Sequence, residues 1–152
     1  MRNNNASQDA RLILQLNRLR EDAEMRQARR WWREKFWPRT PADYLKIEMA
    51  HGSQQNKWLR LVATYWGMAA SFVLDQTLSE KAFLQPEFSA EMFVVFAKVH
   101  PFLKQLRRRM RNPEFMVNVQ RVILNSKEAR ERLREASRRN SSLGKAGVSL
   151  SR

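Results

Sequence analysis

The stretch WLRLVATYWGMAASFVLD, Trp58 to Asp75, is the longest segment of the chain with apolar residues on more than one face, and how it folds decides the rest. At about 100° per residue, Leu59, Val62, Trp66 and Val73 fall on one flank, and Leu61, Tyr65, Met68 and Phe72 recur on another. A helix apolar nearly all round belongs inside a core, so this segment is expected to be a buried central helix. Between the flanks runs a narrower stripe of Arg60, Thr64, Gly67, Ser71 and Asp75, in which Ala63, Gly67 and Ser71 are spaced for close approach of another helix. The stripe is either a packing groove or a small polar site.

Working outward, a chain of 152 residues is the size of one domain and long enough to bury one core. Four glycines and five prolines among 43% hydrophobic residues suit a helical globule better than a turn-rich sandwich. With no cysteine, disulfides, thiolate nucleophiles and cysteine-ligated zinc are excluded, and a cytoplasmic setting is expected. Arg60 and Asp75 bracket too short an apolar run for a membrane span, and MRNNNASQDARLIL lacks the apolar core of an export signal.

The net charge of +14 is unevenly placed. Residues 1–40 hold ten Lys/Arg against five acids, 41–101 hold five against six, and 102–152 hold fourteen against four. A near-neutral kernel with polycationic flanks would draw phosphate-rich partners or anionic lipid, or else serves solubility.

Toward the N-terminus, residues 1–8 are polar and expected to be disordered, and the helical domain spans 9–140. A first helix started by Ser7 or Asp9 should run to Trp37, where Pro38 stops it. Its apolar face changes sides midway, from Leu12, Leu16, Leu19 and Ala23 to Met25, Ala28, Trp32 and Phe36, so a kink near Glu24 is expected. Residues 10–23 are then weakly anchored and available for self-association. Thr40, Pro41 and Asp43 form a capping-box start for a short helix that Gly52 closes, and Ser53 caps the central helix.

Toward the C-terminus, Ser79 caps a short turn of helix and Pro86 breaks it. Ala90 to Val99 is read as helix rather than strand, because Met92, Phe93, Phe96 and Val99 recur at three and four. Pro101 kinks or restarts the helix, which leads into Arg107 to Arg111, and Asn112–Pro113 signals another carrying Phe115, Met116, Val119, Val122 and Ile123. A last, polar helix follows Asn125, with only Ala129, Leu133 and Ala136 as an apolar line and i,i+4 pairing of its charges, among them Glu128 with Arg132. Residues 141–152 are expected to be a flexible tail. The expected fold is all-α: a single-domain bundle of about six helices around the central buried helix, with a long N-terminal helix and a polar C-terminal one.

ARRWW at Ala28 to Trp32, TYWGMAAS at Thr64 to Ser71, MFVVFAKVHPFL at Met92 to Leu103 and NPEF at Asn112 to Phe115 resemble a family of small, uncharacterised bacterial all-helical proteins. The resemblance runs from roughly Trp31 to Val122. It implies a helical fold and no particular activity. Relatives usually carry an acid where this chain has Gly67.

Two basic runs are the candidate sites. In RQARRWWREKFWPR, the cations Arg26, Arg29, Arg30, Arg33, Lys35 and Arg39 interleave with aromatics. Trp32 and Phe36 share the Met25/Ala28 face and belong to the core, which leaves Trp31 and Trp37 free to stack on unpaired bases or to sit at headgroup depth. In LRRRMR, the arginines Arg107, Arg108, Arg109 and Arg111 exceed what offsetting a helix dipole requires. No DNA-reading signature accompanies them. His51 and His100 stand alone, without HExxH, paired carboxylates or a Gly-rich phosphate loop, so neither metal site, cofactor nor catalysis is expected. The sequence therefore points to a non-catalytic binding or scaffold protein whose basic flanks engage RNA or DNA without sequence preference. The competing class is an adaptor peripheral to an anionic membrane, or one that oligomerises through its helices.

Overall fold

The computed structural model describes residues 2–150 and the side chains of residues 5–143, so Met1, Ser151 and Arg152, from the ends expected to be loose, lie outside the described residues. In chain order the helices are α1 (Arg2–Glu21), α2 (Ala23–Glu34), α3 (Pro41–Glu48), α4 (Gln54–Leu74), α5 (Glu80–Phe83), α6 (Pro86–Val99), α7 (Leu103–Arg109), α8 (Val117–Leu124) and α9 (Lys127–Leu150), with a 3₁₀ turn at His100–Phe102. The protein is a single all-α domain, and α4 is its axis. Helices α2 and α8 pack along α4, α9 lies along α6 and α8, and α3 bridges α4 and α7.

On the first flank of α4, Leu59, Val62 and Trp66 are buried and Val73 is half-buried, and Ala69 and Ala70 are buried beside them. The second flank is wetter than expected: Tyr65 is buried, Leu61 and Phe72 are half-buried, and Met68 is exposed. Leu61, Tyr65 and Met68 border, with Leu19 and Met25, an apolar groove of about 580 Å³ between α4 and the N-terminal helices.

The N-terminal helix breaks at Asp22, two residues before Glu24, as the change of apolar face requires. Asp22 adopts an extended conformation and its carboxylate accepts from the Met25 amide at 3.1 Å, which makes it the N-cap of α2. The break lets each half turn its own stripe to the core. On α1, Leu16 and Arg20 are buried and Leu12 and Ile13 partly so, while Leu14 and Leu19 face outward. Residues 10–23 are thus held along one edge and bare along the other. Asp9 adds a tether by accepting from the Ser79 amide at 3.0 Å.

The caps at Thr40/Asp43, Ser53 and Ser79 form as expected. Of three proline signals, one acts differently from expectation. Pro86 marks the break after α5 and opens α6, since a proline at the first helical position forfeits no hydrogen bond. Pro101 sits within the 3₁₀ turn that interrupts the helix between α6 and α7. Asn112–Pro113 makes a turn, not a helix start: Asn112 Oδ1 accepts from the Glu114 amide at 3.2 Å, and α8 begins only after Met116, whose φ of 55° is left-handed. At the other end, helix extends beyond both expected limits, beginning at Arg2 and continuing to Leu150.

The polar last helix packs through Ala129 and Ala136, as its thin apolar line requires. Its arginines behave differently from a purely solvated face. Arg132 lays its guanidinium 4.2 Å from the Phe93 ring centroid and donates to the Leu84 carbonyl rather than pairing with Glu128, and the ion pair that forms is Arg139 with Glu135 at 2.7 Å. The long stems of arginine cover apolar surface in this way while the head keeps a partner.

Candidate polyanion interface

The two basic runs meet around the 3₁₀ turn. Arg39, after α2, lines a cleft of about 510 Å³ together with Trp37, Lys98, Pro101, Phe102, Ser137 and Asn140. On the other side of the same Pro101, a second cleft of about 500 Å³ is lined by His100, Lys104, Arg107, Arg108 and Gln120. No carboxylate is among the residues lining either cleft. Arg107 is fixed in place: its Nε donates to the Phe115 carbonyl and its Nη2 to Gln120 Oε1, both at 2.9 Å. Burial holds the pKa of this guanidinium below its usual value, an effect that Glu114 opposes.

The sequence candidates divide into those turned outward and those used by the fold. Arg26, Arg30, Lys35, Arg39, Arg108, Arg109 and Arg111 are exposed and make no ion pair among the described residues. Arg33 is also exposed and lies 3.5 Å from its neighbour Glu34. Arg29 is consumed internally, donating to Glu91 at 2.9 Å while the other oxygen of Glu91 accepts from Trp66 Nε1 at 3.1 Å. Arg107 is half-buried in its own network.

Neither tryptophan is the free platform expected. Trp31 stacks on Phe36 with ring centroids 4.6 Å apart and packs against Trp58 of α4. Trp37 is held from two directions: its Nε1 donates to the Glu34 carbonyl at 3.3 Å, and the Lys98 ammonium lies 3.7 Å from its ring centroid. Trp37 nonetheless lines the first cleft.

Lys98 itself was invisible to the sequence pattern. It is 5% exposed and has no acid partner; its ammonium donates to the carbonyls of Trp32 and Phe36, at the end of α2 where helical carbonyls lack intrahelical donors. Burial pulls its pKa down to about 8. The available signal was a lone lysine within MFVVFAKV. A second unpaired cation, Arg20, is 9% exposed. Its guanidinium sits 4.6 Å from the Trp66 centroid and 4.5 Å from that of Phe88, and donates to Tyr65 Oη at 2.9 Å and the Phe88 carbonyl at 2.6 Å. Tyr65 in turn donates to the Leu16 carbonyl at 3.0 Å, and burial pushes its phenol pKa up.

A family model described as a domain of unknown function, DUF4760, matches residues 5–126. The chain belongs to this family. Compared with curated proteins and with solved structures, it matches none. The DUF4760 match reaches further than the motifs around Trp31 to Val122 implied, taking in most of α1 and all of α2 to α8, and it ends immediately before α9. Both clefts at Pro101 are therefore built mainly from the DUF4760 region, with α9 adding Ser137 and Asn140 to one of them.

The polar stripe of α4 divides: Arg60, Thr64 and Gly67 line a cleft of about 360 Å³ with Tyr44, Glu48 and Asn118, and Ser71 and Asp75 do not. Arg60 pairs with Glu48 at 3.3 Å at the surface, Ser71 donates to the Met68 carbonyl of its own helix, and hydrogen bonds from the Thr77 side chain and amide lower the Asp75 pKa. Helix α8 runs beside the stripe, and Asn118 donates to the Gly67 carbonyl at 3.5 Å. A Cβ at Gly67 would meet nothing within 4 Å, so close approach does not require glycine there. His51 is exposed, His100 lies against Phe96, and among the described residues no three His, Asp or Glu side chains gather as metal ligands would.

Proposed function

We propose that this DUF4760 protein is a non-catalytic binder of phosphate-rich polyanions, most readily nucleic acid, gripped by charge without sequence preference. One observation carries the reading: Arg39 from the first basic run and Arg107 and Arg108 from the second border two carboxylate-free clefts that share Pro101. Unpaired arginines and lysine on the surface neutralise phosphates and release counterions, which supplies affinity that depends on salt rather than on base identity.

Arg111 supports the same reading. The amide of Asn112 bonds to the Arg107 carbonyl at 2.9 Å and that of Arg111 to the Arg108 carbonyl at 3.2 Å, a Schellman closure of α7 with Arg111 at the left-handed position, φ 54°. Glycine is the low-cost residue at such a position, so a charged side chain there costs stability and is explained by a contact outside the chain.

The test is the affinity for a short DNA duplex measured by fluorescence anisotropy at several salt concentrations. The slope of log affinity against log salt should be steep, and Arg108→Gln with Arg109→Gln should make it shallower by about two. Arg111→Gly should weaken binding while raising unfolding stability by about 1 kcal/mol. Binding insensitive to salt, or unchanged in these variants, overturns the reading.

A further inference from the structure

We infer that the cleft between Trp37 and Phe102 takes one unpaired nucleobase, with the adjoining phosphates crossing Pro101 into the cleft of His100, Lys104 and Arg108. The inference rests on the polyanion reading and adds to it what part of the nucleic acid is preferred. Three properties of the first cleft point to a base rather than to backbone alone.

Its walls are flat and apolar where a base has its faces: Trp37, Pro38, Pro101 and Phe102. The Trp37 ring is fixed before anything binds, by its bond to the Glu34 carbonyl and by Lys98 beneath it. Immobilising the ring beforehand spares the rotamer entropy that a mobile tryptophan would lose on binding.

One wall, supplied by α9, carries groups suited to a base edge. Asn140 spends its amide nitrogen on the Val94 carbonyl at 3.1 Å, which orients its Oδ1 as a remaining acceptor, and the Ser137 hydroxyl is both donor and acceptor. The charge lies where a backbone leaving the cleft would pass. Arg39 is exposed at the same cleft, and the neighbouring one, reached over Pro101, adds His100, Lys104 and Arg108 without an acid. A base inserted between paired strands cannot reach such a cleft, so its occupant is a single-stranded end, loop or flipped nucleotide.

The experiment compares three labelled DNA probes on the full chain: a blunt duplex, the same duplex with a short thymidine extension, and the same duplex with an abasic extension of equal charge. The thymidine extension should bind about tenfold tighter than the abasic one, the size that base–aromatic stacking supplies. Ser137→Trp, which fills the cleft from α9, should erase that preference, the two extensions being compared with each other on the same variant. Trp37→Leu should erase it as well, so the outcome does not depend on one variant folding. Equal affinity for the thymidine and abasic extensions, or a preference that survives both substitutions, overturns the base cleft while leaving polyanion binding intact. Failure of all three probes to bind overturns both.

Discussion

Among the described residues two cations are buried without a carboxylate partner, and by opposite means. Arg20, on α1, slides a planar guanidinium among Tyr65, Trp66 and Phe88 and directs its donors at a phenol and a carbonyl. Lys98, on α6, places a point charge on the carbonyls that end α2 and under the face of Trp37. Arginine is weakly hydrated, always charged and flat, so stacking replaces much of the water it loses. An ammonium is strongly hydrated, and the protein answers by making its proton easy to remove: the Lys98 pKa falls to about 8. The first site is a permanent fastener of the N-terminal helix. The second is a fastener whose charge depends on pH.

The harshest test of that contrast removes Arg20. Arg20→Met should cost about 3 kcal/mol, because it leaves the Tyr65 hydroxyl and the Phe88 carbonyl short of a donor inside the core. Denaturant unfolding gives the loss, and faster proteolysis at the Asp22 break would locate it on α1. An undiminished stability would mean that the aromatic cage holds α1 unaided.

A pH titration comes next. Folded Lys98 gives up its proton near pH 8, whereas the unfolded chain keeps it to about 10.5, so between these values the unfolded state binds more protons and stability must rise with pH. The rise from pH 8 to pH 10 should reach about 2 kcal/mol and disappear in Lys98→Met. Above pH 10 it is opposed by Tyr44 and Tyr65, whose phenols burial pushes up and which must stay neutral in the fold. A flat profile in the unsubstituted protein would sink the claim. The mildest probe exchanges the two chemistries: Arg20→Lys should cost about 2 kcal/mol at pH 7, less than Arg20→Met, and should bring to α1 a pH dependence it now lacks.

What the sequence disclosed follows from which forces are local. The caps at Thr40, Ser53 and Ser79 and the helical choice for Ala90–Val99 depend on residues within a turn or two, and all formed. Asn112–Pro113 misled because Arg107 reaches back to the Phe115 carbonyl, a contact that no local pattern encodes, and the chain turns there before α8. The candidate site was half legible. Charge runs include Arg39, Arg107 and Arg108, which line the two clefts, yet which arginines the fold keeps for itself depends on long-range partners: Glu91 for Arg29, and the α4 aromatics for the face of α2 that carries Trp31. Lys98 and Arg20 went unnoticed for the same reason, since a lone cation in an apolar helix looks like a solvated exception until its carbonyl and aromatic neighbours are known.

Helix α9 carries a consequence for anyone expressing this family. Phe93 rests under Arg132, the Leu84 carbonyl accepts a hydrogen bond from the same guanidinium, and the Val94 carbonyl accepts one from Asn140. A chain trimmed at the family border after Ser126 would strip that covering from α6 and present a wet, sticky ridge, so the span that defines kinship is shorter than the span that folds cleanly.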